Sequence, residues 1–181
     1  QSIPNYEEVF VSDGVQLTFH CNKSPLLNKD GQVIGVLTSA VDITARKFAE
    51  EHRAHLALHD GLTGLPNRAL FMDRLRTAMS RLKRRPTHLF AALVLDLDRF
   101  KVINDTRGHQ AGDTLLRQVA ERINSALDAN ELAARIGGDE FAIILRNVES
   151  VEDVSSKCHH LLAQIGKHYA IGDSDQRIGA S

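Results

Sequence analysis

The sequence predicts a mixed α/β (α+β) domain, with a central β-sheet flanked by helices, preceded by a short β-rich segment. From residue 60 onward, apolar runs of strand length alternate with stretches of helical periodicity, in the order helix, strand, helix, helix, hairpin, helix, strand. Residues 10–43 instead have the pattern of strands and turns, and residues 44–59 switch to helical composition. The chain has 181 residues, which allows one full domain and an additional piece.

The first segment predicts an antiparallel hairpin. "VQLTFHCNKSPLL" alternates in part, Asn28–Gly31 is a turn signal, and "QVIGVLTSAVDIT" forms the second strand. A hairpin by itself buries too little surface for a core. Residues 44–59 then predict a helix that Thr44 is placed to cap. Its weakly apolar stripe, from Phe48 to His59, fits either a connector that pairs with a copy of itself or a solvated linker.

The elements of the larger domain follow in order. Asp60–Asn67 is dense in turn residues and marks its start, and an amphipathic helix then ends before Pro86. The apolar run Leu89–Leu95 predicts a buried strand. Two helical pieces separated at Gly108 come next, followed by a hairpin over "ELAARIGGDEFAIIL". "VESVEDVSSKCHHLLAQIGKHY" predicts another helix, and "QRIGAS" predicts the opening of a further strand.

Composition argues against several classes of protein. The formal net charge of −1 does not suit a nucleic-acid binder. Cys21 and Cys158 lie far apart without metal-type spacing, which favours a reducing compartment over a disulfide framework. No apolar run approaches the roughly 18–20 residues of a membrane helix. We expect a cytoplasmic segment, and because both ends look cut from a longer chain, membrane anchoring of the parent stays open.

Carboxylates gather at the predicted strand ends. Asp96 and Asp98 follow the apolar strand, and Asp139 and Glu140 lie at the hairpin tip, after the Gly137–Gly138 step that can turn tightly and approach a ligand. If the strands are neighbours, these carboxylates converge and repel one another unless a cation binds. Magnesium favours a few carboxylates plus substrate phosphates, which predicts a nucleoside-triphosphate site for metal-assisted phosphoryl transfer. For Asp96 or Asp98 alone, a solvated surface carboxylate is the alternative.

Lys101, Asn104 and Asp113 are candidates for nucleotide contacts. Lys101 lies near a helix start, where its charge and the helix terminus both favour phosphate, although a solvated lysine fits equally well. An Asp carboxylate can accept two hydrogen bonds from the N1–H and exocyclic amine of guanine, and Asn offers a donor and an acceptor. The break at Gly108 could fold both residues over one base, yet Asn and Asp are common at helix ends in any case.

Other clusters favour structural explanations. Arg81–Arg85 fits a helix C-terminus that complements its dipole better than it fits a nucleic-acid patch. Cys158–His160 has no second pair of ligands for zinc, and the His20–Cys21 step is similarly weak.

Three separated blocks, "HDGLTGLPNR", "LDLDRFKVINDTRGHQAGD" and "RIGGDEF", resemble the GGDEF domain of bacterial diguanylate cyclases in order and spacing. The resemblance implies a nucleotidyl-cyclase-like sheet and a GGDEF domain over residues 60–181 that is incomplete at its C-terminus. Residues 1–43 resemble the last strands of a PAS sensor domain, including its junction at Asp42–Thr44. Residues 44–59 would then be the connector that passes the sensor signal to the catalytic domains. The PAS ligand stays unknown.

This resemblance also implies a reaction. The family condenses two GTP molecules into cyclic di-GMP and two pyrophosphates, with one GTP held by each subunit of a homodimer. Asp96, Glu140 and the backbone carbonyl of Leu97 would ligate Mg²⁺, with Mn²⁺ as an alternative. Glu140 would also accept the proton of the 3′-hydroxyl. Asp139 would assist the metal or that hydroxyl, and Lys101 would stabilise the developing phosphate charge.

The remaining roles concern substrate binding. Gly137 and Gly138 would let the backbone approach the phosphates. Asn104 and Asp113 would recognise guanine, with His109 nearby on the ribose and base side. The expected partners are therefore GTP and a second copy of the chain, without nucleic acid and without a membrane segment in these residues.

Two departures from the family pattern lead to expectations of their own. Many members carry an inhibitory product site, Arg-x-x-Asp, where this chain has Asp128–Glu131. An acid in place of the arginine would repel a bis-phosphate ligand, so we expect no feedback inhibition there. The family's domain also continues beyond the position of Ser181, so we expect an incomplete sheet and weak or no turnover from these residues alone.

Two rival functions remain at this level. One is a catalytically inactive GTP-binding module that regulates an adjacent cyclic di-GMP phosphodiesterase domain, but the intact Gly137–Phe141 motif favours the enzyme. The other is a structural dimerisation domain, which would not require Asp96, Lys101, Asn104 and Glu140 together.

Overall fold

The computed structural model describes residues 3–84, 89–171 and 174–181. Arg85 and Pro86, at the end of a predicted helix, lie outside the described residues. The chain divides into two compact units, residues 1–57 and 58–181. No helix in the described ranges is long and apolar enough to cross a membrane.

The N-terminal unit contains a three-stranded antiparallel sheet. Its strands are β1 (Ile3–Ser12), β2 (Val15–Leu27) and β3 (Val33–Asp42), in the order β1-β2-β3. The predicted hairpin is the β2–β3 pair, and its turn is held by the Asn28 carboxamide, which accepts hydrogen bonds from the N–H groups of Asp30 and Gln32. The prediction of two strands is wrong, because β1 adds a third strand that pairs with β2. The sequence did not indicate β1, since adjacent Glu7 and Glu8 interrupt the alternation of apolar and polar residues.

The helix predicted over residues 44–59 is α1 (Thr44–Leu58). The prediction that Thr44 caps it is wrong. The Thr44 hydroxyl instead accepts a hydrogen bond of 2.8 Å from the N–H of Thr18 on β2, because the helix follows β3 directly and its start is tied to the sheet. The Asp42 carboxylate accepts a 2.9 Å hydrogen bond from the N–H of Thr44. Burial is slight in this unit, where α1 contributes no buried side chain and Cys21 is the one buried residue among those described.

The second unit places helices on both faces of a three-stranded antiparallel sheet. Its elements, in chain order, are α2 (Arg68–Arg84), β4 (Leu89–Asp96), α3 (Phe100–Arg107), α4 (His109–Ser125), β5 (Leu132–Arg135), β6 (Glu140–Val148), α5 (Val151–Ile165), β7 (Tyr169–Ile171) and β8 (Ser174–Gln176). The sheet order is β4-β6-β5, and β7 pairs with β8 separately. The predicted order of helices and strands is confirmed through α5, and the β7–β8 hairpin is an addition.

Side-chain caps explain where two of these helices begin. The Asn67 carboxamide accepts hydrogen bonds from the N–H groups of Ala69 and Leu70 at 2.9 and 3.2 Å and so starts α2. The Ser150 hydroxyl accepts a 3.1 Å bond from the N–H of Asp153 and starts α5. The helix predicted to run through Tyr169 ends earlier, because that tyrosine is fully buried in β7.

The central strand β6 forms the middle of the core. Phe141 and Ile143 lie on the face that joins the main core with residues of α3, α4 and α5. Ala142 and Ile144 lie on the opposite face, where they pack with Phe71 of α2. The strand is therefore buried on both sides, which suits its unbroken apolar sequence.

Strand β4 is less buried than its apolar sequence predicted. Within Leu89–Leu95 only Leu95 is fully buried, and Val94 is 68% exposed. β6 pairs with one edge of β4 along its length. On the other edge, the described residues provide a partner only at the end, where Asp96 and Ser181 exchange backbone hydrogen bonds of 2.9 and 3.1 Å. The buried-strand prediction is thus wrong for most of β4, and the further strand predicted in "QRIGAS" appears as this short pairing.

Candidate functional site

The ends of two strands bring acidic residues together. Asp96, the last residue of β4, lies directly opposite Glu140, the first residue of β6, in the antiparallel ladder. Side chains in such pairs have Cβ atoms about 4.5–5.5 Å apart. The N–H of Leu97 donates a 3.3 Å hydrogen bond to the carbonyl of Asp139, which joins the turn to the β4 end. The predicted convergence is therefore present for Asp96 and Glu140, whereas Asp139 is joined to this end of the sheet through its backbone carbonyl.

Asp98 does not join this group. Its carboxylate accepts a 3.1 Å hydrogen bond from the Ser181 hydroxyl and lies against Gly179, where an added Cβ would be 2.4 Å from Asp98 Oδ2. Asp98 therefore serves the pairing of the last described residues with the end of β4.

Gly137 lies in close contact with the side chain of Glu140. A Cβ at this position would lie 2.5 Å from Oε2 of Glu140, so any side chain would displace that carboxylate. Neither Gly137 nor Gly138 has a positive φ, and a Cβ at Gly138 would meet nothing within 4 Å. The approach of phosphates to these two glycines stays a prediction.

An arginine that sequence reasoning missed holds the turn. The Arg135 guanidinium donates to both carboxylate oxygens of Asp60 at 3.0 and 3.2 Å, and to the carbonyl of Gly138 at 2.8 and 3.2 Å. The N–H of Arg135 also donates to the carbonyl of Pro66 at 2.9 Å. Arg135 and Asp60 lie within the recognised blocks "RIGGDEF" and "HDGLTGLPNR", but their pairing across 75 positions carries no local signal.

Asp60 is ionised in this arrangement. Burial raises the pKa of its carboxyl group, but hydrogen bonds from the hydroxyl and N–H of Thr63 and from Arg135 outweigh burial and hold the pKa below its usual value. The Thr63 bonds measure 2.7 and 2.9 Å. The turn is therefore anchored by a charge-assisted network, which is stronger than neutral hydrogen bonds.

Helix α3 starts beside the acidic turn. The N–H of Phe100 donates a 3.3 Å hydrogen bond to the carbonyl of Leu97, which leaves that oxygen a second lone pair for another partner. Lys101 is the second residue of α3 and is exposed. The structure therefore places the lysine one helical position from the residue that contacts Leu97.

The guanine candidates meet where α3 and α4 join. Gly108 separates the helices with a φ of 82°, as the predicted break requires, and exposed His109 begins α4. Oδ1 of Asn104 is buried and has no hydrogen-bond partner in the described part of the chain. It packs so closely on Gly112 that a Cβ there would lie 2.0 Å away. Asn104 therefore contacts the residue that precedes Asp113, and the two candidates are neighbours.

The acidic turn offers a small donor set. Within residues 3–84, 89–171 and 174–181, no three His, Cys, Asp or Glu side chains are grouped so that they could hold a metal ion. Asp96 and Glu140 lie opposite each other there, and their role as magnesium ligands together with the carbonyl of Leu97 stays a prediction.

A lysine pairs with two acids in the segment aligned with the family's product site. Nζ of Lys157 lies 2.5 Å from Oε1 of Glu131 and 3.5 Å from Oδ2 of Asp128. The hydrogen bond to Glu131 is the main reason that the pKa of Lys157 is raised. The lysine is thus engaged by two acids, and the absence of feedback inhibition there stays a prediction.

Comparison with known proteins decides the family. The family model described as "Diguanylate cyclase, GGDEF domain" matches residues 57–181. The chain belongs to this family. Members named diguanylate cyclase are generally dependent on a divalent metal.

Individual relatives agree with this GGDEF assignment. The chain is 40% identical over 155 residues to the bifunctional diguanylate cyclase/cyclic di-GMP phosphodiesterase MucR of Pseudomonas aeruginosa. The aligned region covers 82% of this chain and 22% of MucR. The solved GGDEF domain of TpbB from P. aeruginosa shares 40% identity at a TM-score of 0.64, covering 67% of this chain and 71% of that one. The coiled coil and GGDEF domain of DgcB from Caulobacter crescentus, solved with c-di-GMP, share 33% identity with this chain at a TM-score of 0.67. The match covers 76% of this chain and 72% of the DgcB chain.

Proposed function

We propose that this chain is the catalytic part of a diguanylate cyclase, which condenses two GTP molecules into cyclic di-GMP and two pyrophosphates. The observation that carries the proposal is the direct pairing of Asp96 with Glu140 beside the Gly137–Asp139 turn. Membership of the GGDEF family supports it. The chain spans 22% of the length of its relative MucR, so the activity of the whole protein is inferred from this site.

The residues at the turn fit a divalent cation. Two facing carboxylates and one backbone carbonyl are hard oxygen donors. Because Gly137 has no Cβ, the Glu140 carboxylate can keep its position beside it. Asp96, Glu140 and Leu97 would hold Mg²⁺, or Mn²⁺ as the alternative. The bound ion would supply charge neutralisation for the triphosphate and polarisation of the attacking hydroxyl.

The remaining chemistry belongs to side chains of this chain. Glu140 accepts the proton of the 3′-hydroxyl as that oxygen attacks phosphorus, and Asp139 assists it from the neighbouring position. Lys101, exposed at the start of α3, stabilises the negative charge that develops on the phosphate. Arg135 holds the turn through the Gly138 carbonyl and thereby positions both acids.

Asn104 and Asp113 select guanine. The buried Oδ1 of Asn104 has no hydrogen-bond partner among the described residues, and a buried acceptor without one is costly. Guanine offers N1–H and an exocyclic amine on one edge, which together satisfy an Asp carboxylate and the Asn oxygen. Adenine lacks this donor pair. His109, exposed at the start of α4, lies on the ribose and base side.

Catalysis requires two copies of the chain, because each site has residues for one nucleotide. Helix α1 supports pairing, since Phe48 and Leu56 are 71% and 50% exposed along one stripe.

Residues 1–43 are the end of a PAS-type sensor and residues 44–59 are the connector between it and residues 60–181. We place the protein's catalytic part in the cytoplasm.

Product analysis with the full-length protein and GTP plus Mg²⁺ tests the proposal. We expect cyclic di-GMP from the unmodified protein and none from Glu140→Gln. Asp98→Asn is the matched control, because Asp98 is also an acid at this sheet end but faces Ser181, and it should keep its activity. GTP that binds to the unmodified protein without conversion would refute the cyclase and favour a regulatory GTP-binding module.

A further inference from the structure

A groove lies at the end of the sheet opposite the acidic turn. The second half of α2 and the ends of β4 and β6 enclose about 830 Å³. Small-molecule sites typically enclose about 300–1,000 Å³. Its charged lining in the described part of the chain consists of Asp73 and the four arginines Arg76, Arg81, Arg84 and Arg146. We call these four arginines with Asp73 the arginine groove.

The helix dipole explains only part of this cluster. Arg81 and Arg84 lie in the last turn of α2, where cations complement the helix C-terminus. Arg76 lies one to two turns earlier. Arg146 comes from a different element, β6, where it follows Ala142 and Ile144 on the face that packs toward α2. Two elements therefore direct guanidinium groups to one concave surface.

Arg146 carries the strongest indication of a missing partner. Its Nε is buried and has no hydrogen-bond partner among the described residues. A buried donor without an acceptor is costly, so such groups are normally paired. The Nε–H and a neighbouring Nη–H of arginine form a fork that matches two oxygens of one phosphate group. A phosphate at this place would satisfy the buried Nε.

The arginine groove is separate from the acidic turn. Arg146 and Glu140 lie on the same strand, six residues apart. At about 3.3 Å per residue this is a separation of about 20 Å. A ligand in the groove would therefore be distinct from GTP at the turn, and the inference does not depend on the proposed cyclase activity.

We propose that the arginine groove binds a compact small molecule that carries two or more linked phosphate groups. Four guanidinium groups opposed by one carboxylate favour a ligand with several negative charges. The planar forks favour phosphate oxygens over isolated point charges. The enclosed volume suits a small molecule, and the net charge of −1 for the chain does not suit an extended polyanion such as nucleic acid.

Calorimetric titration of the 181-residue chain with pyrophosphate and with tripolyphosphate tests this. The titrations are run with EDTA, so that metal-dependent binding at the turn is suppressed, and at 0.15 M salt to reduce non-specific attraction. We expect one site, weakened at least about tenfold by Arg146→Gln and by the exposed Arg76→Gln. Arg74→Gln is the matched control, since Arg74 is exposed on the same helix but lies outside the groove, and it should bind as before.

Two further measurements make the result decisive. Lys101→Gln should keep phosphate binding, whereas loss with this variant and retention with Arg146→Gln would place the ligand at the turn and overturn the proposal. Arg146→Met should raise Tm by about 2–4 °C without ligand, because it removes the buried unpaired Nε, and should abolish the rise that tripolyphosphate causes. Equal binding of a polyglutamate peptide, or no binding of either phosphate, would also overturn it.

Discussion

Each unit of this chain contains a three-stranded antiparallel sheet, yet among the described residues only the C-terminal unit has a core. In the C-terminal unit, Phe141–Leu145 is buried without interruption, because α2 covers one face and α4 and α5 cover the other. In the N-terminal unit, Cys21 is the one buried side chain among the described residues. Strand pairing is extensive in both units. The hydrogen-bond ladder therefore forms a sheet, and the covering layer makes a core.

Composition does not explain the difference. The N-terminal strands carry the same residue types as β6, but Val11, Ile34 and Val36 are 72%, 62% and 64% exposed. A net hydrogen bond contributes only about 0.5–1.5 kcal/mol, whereas full burial of an aliphatic side chain contributes about 1.5–3 kcal/mol. Similar apolar residues thus stabilise the C-terminal unit by burial but contribute little to the N-terminal unit, where they are exposed.

Hydrogen exchange of the whole chain tests this comparison most strongly. We expect backbone amides in the middle of β6 to exchange about a thousandfold more slowly than those in β2, because opening free energies follow local burial. The measurement is exchange followed by mass spectrometry or NMR at constant pH. Equal protection of both strands would show that the N-terminal sheet has a stabilising layer not evident from its burial.

A matched pair of core and surface substitutions gives the next effect. Ile143→Ala should cost about 2–5 kcal/mol of unfolding free energy, since Ile143 is 1% exposed in the main core. Ile34→Ala, the same change on an exposed strand, should stay within about 0.5 kcal/mol. Denaturant unfolding measures both. Similar costs for the two changes would contradict the contrast between the units.

The two units also contain carboxylates with lowered pKa values in different surroundings. Asp60 is partly buried and paired with Arg135, so Asp60→Asn should cost roughly 1–2 kcal/mol at pH 7. Hydrogen bonds from Thr44 also lower the pKa of Asp42, but this carboxylate is fully exposed. Asp42→Asn should therefore reduce the free energy of unfolding by less than Asp60→Asn.

The pH dependence of the Asp60 effect has a definite sign. Because its folded pKa lies below the unfolded value of about 3.9, its stabilising contribution is complete above that pH and is lost as the pH falls through the folded value. The stability gap between the unmodified chain and Asp60→Asn should therefore narrow from pH 5 to pH 2. A gap that stays constant down to pH 2 would show that the charge of Asp60 is not the stabilising feature.

Two glycines provide the smallest effect. A Cβ at Gly112 would lie 2.0 Å from Oδ1 of Asn104, so Gly112→Ala should displace Asn104 and weaken GTP binding about tenfold. A Cβ at Gly35 would lie 3.9 Å from Cβ of Leu26, an ordinary contact, so Gly35→Ala should leave GTP binding unchanged. Binding is measured by titration with GTP and Mg²⁺. In an Asn104→Ala background, Gly112→Ala should weaken GTP binding no further, and a second full loss there would assign the effect to general distortion.

Local signals in the sequence were sufficient for much of the C-terminal unit. Gly108 predicted the break between α3 and α4 because its backbone takes a φ of 82°. Asp96 and Glu140 were predicted at the ends of strands, but the ladder that places them opposite each other joins residues 44 positions apart. The break at Gly108, by contrast, depends on nearby residues, whose conformational preferences act wherever the chain folds.

Features that depend on distant partners had no such signal. The apolar run of β4 predicted burial, but the exposure of Val94 depends on how many neighbours cover the strand. The link between Arg135 and Asp60, and the convergence of Arg146 with the arginines of α2, each join separate elements. Thr44 has the right residue type for a helix cap, yet the closeness of Thr18 gives its hydroxyl another partner.

The sequence by itself determined the family and the order of most elements in the C-terminal unit, because periodicity, turn residues and motif spacing are properties of short segments. Tertiary structure alone decided which strands are buried, which arginine holds the acidic turn and where the buried Nε of Arg146, which has no partner among the described residues, lies beside a groove. Burial and long-range pairing are set by which surfaces meet when the chain folds, and no short segment contains that information.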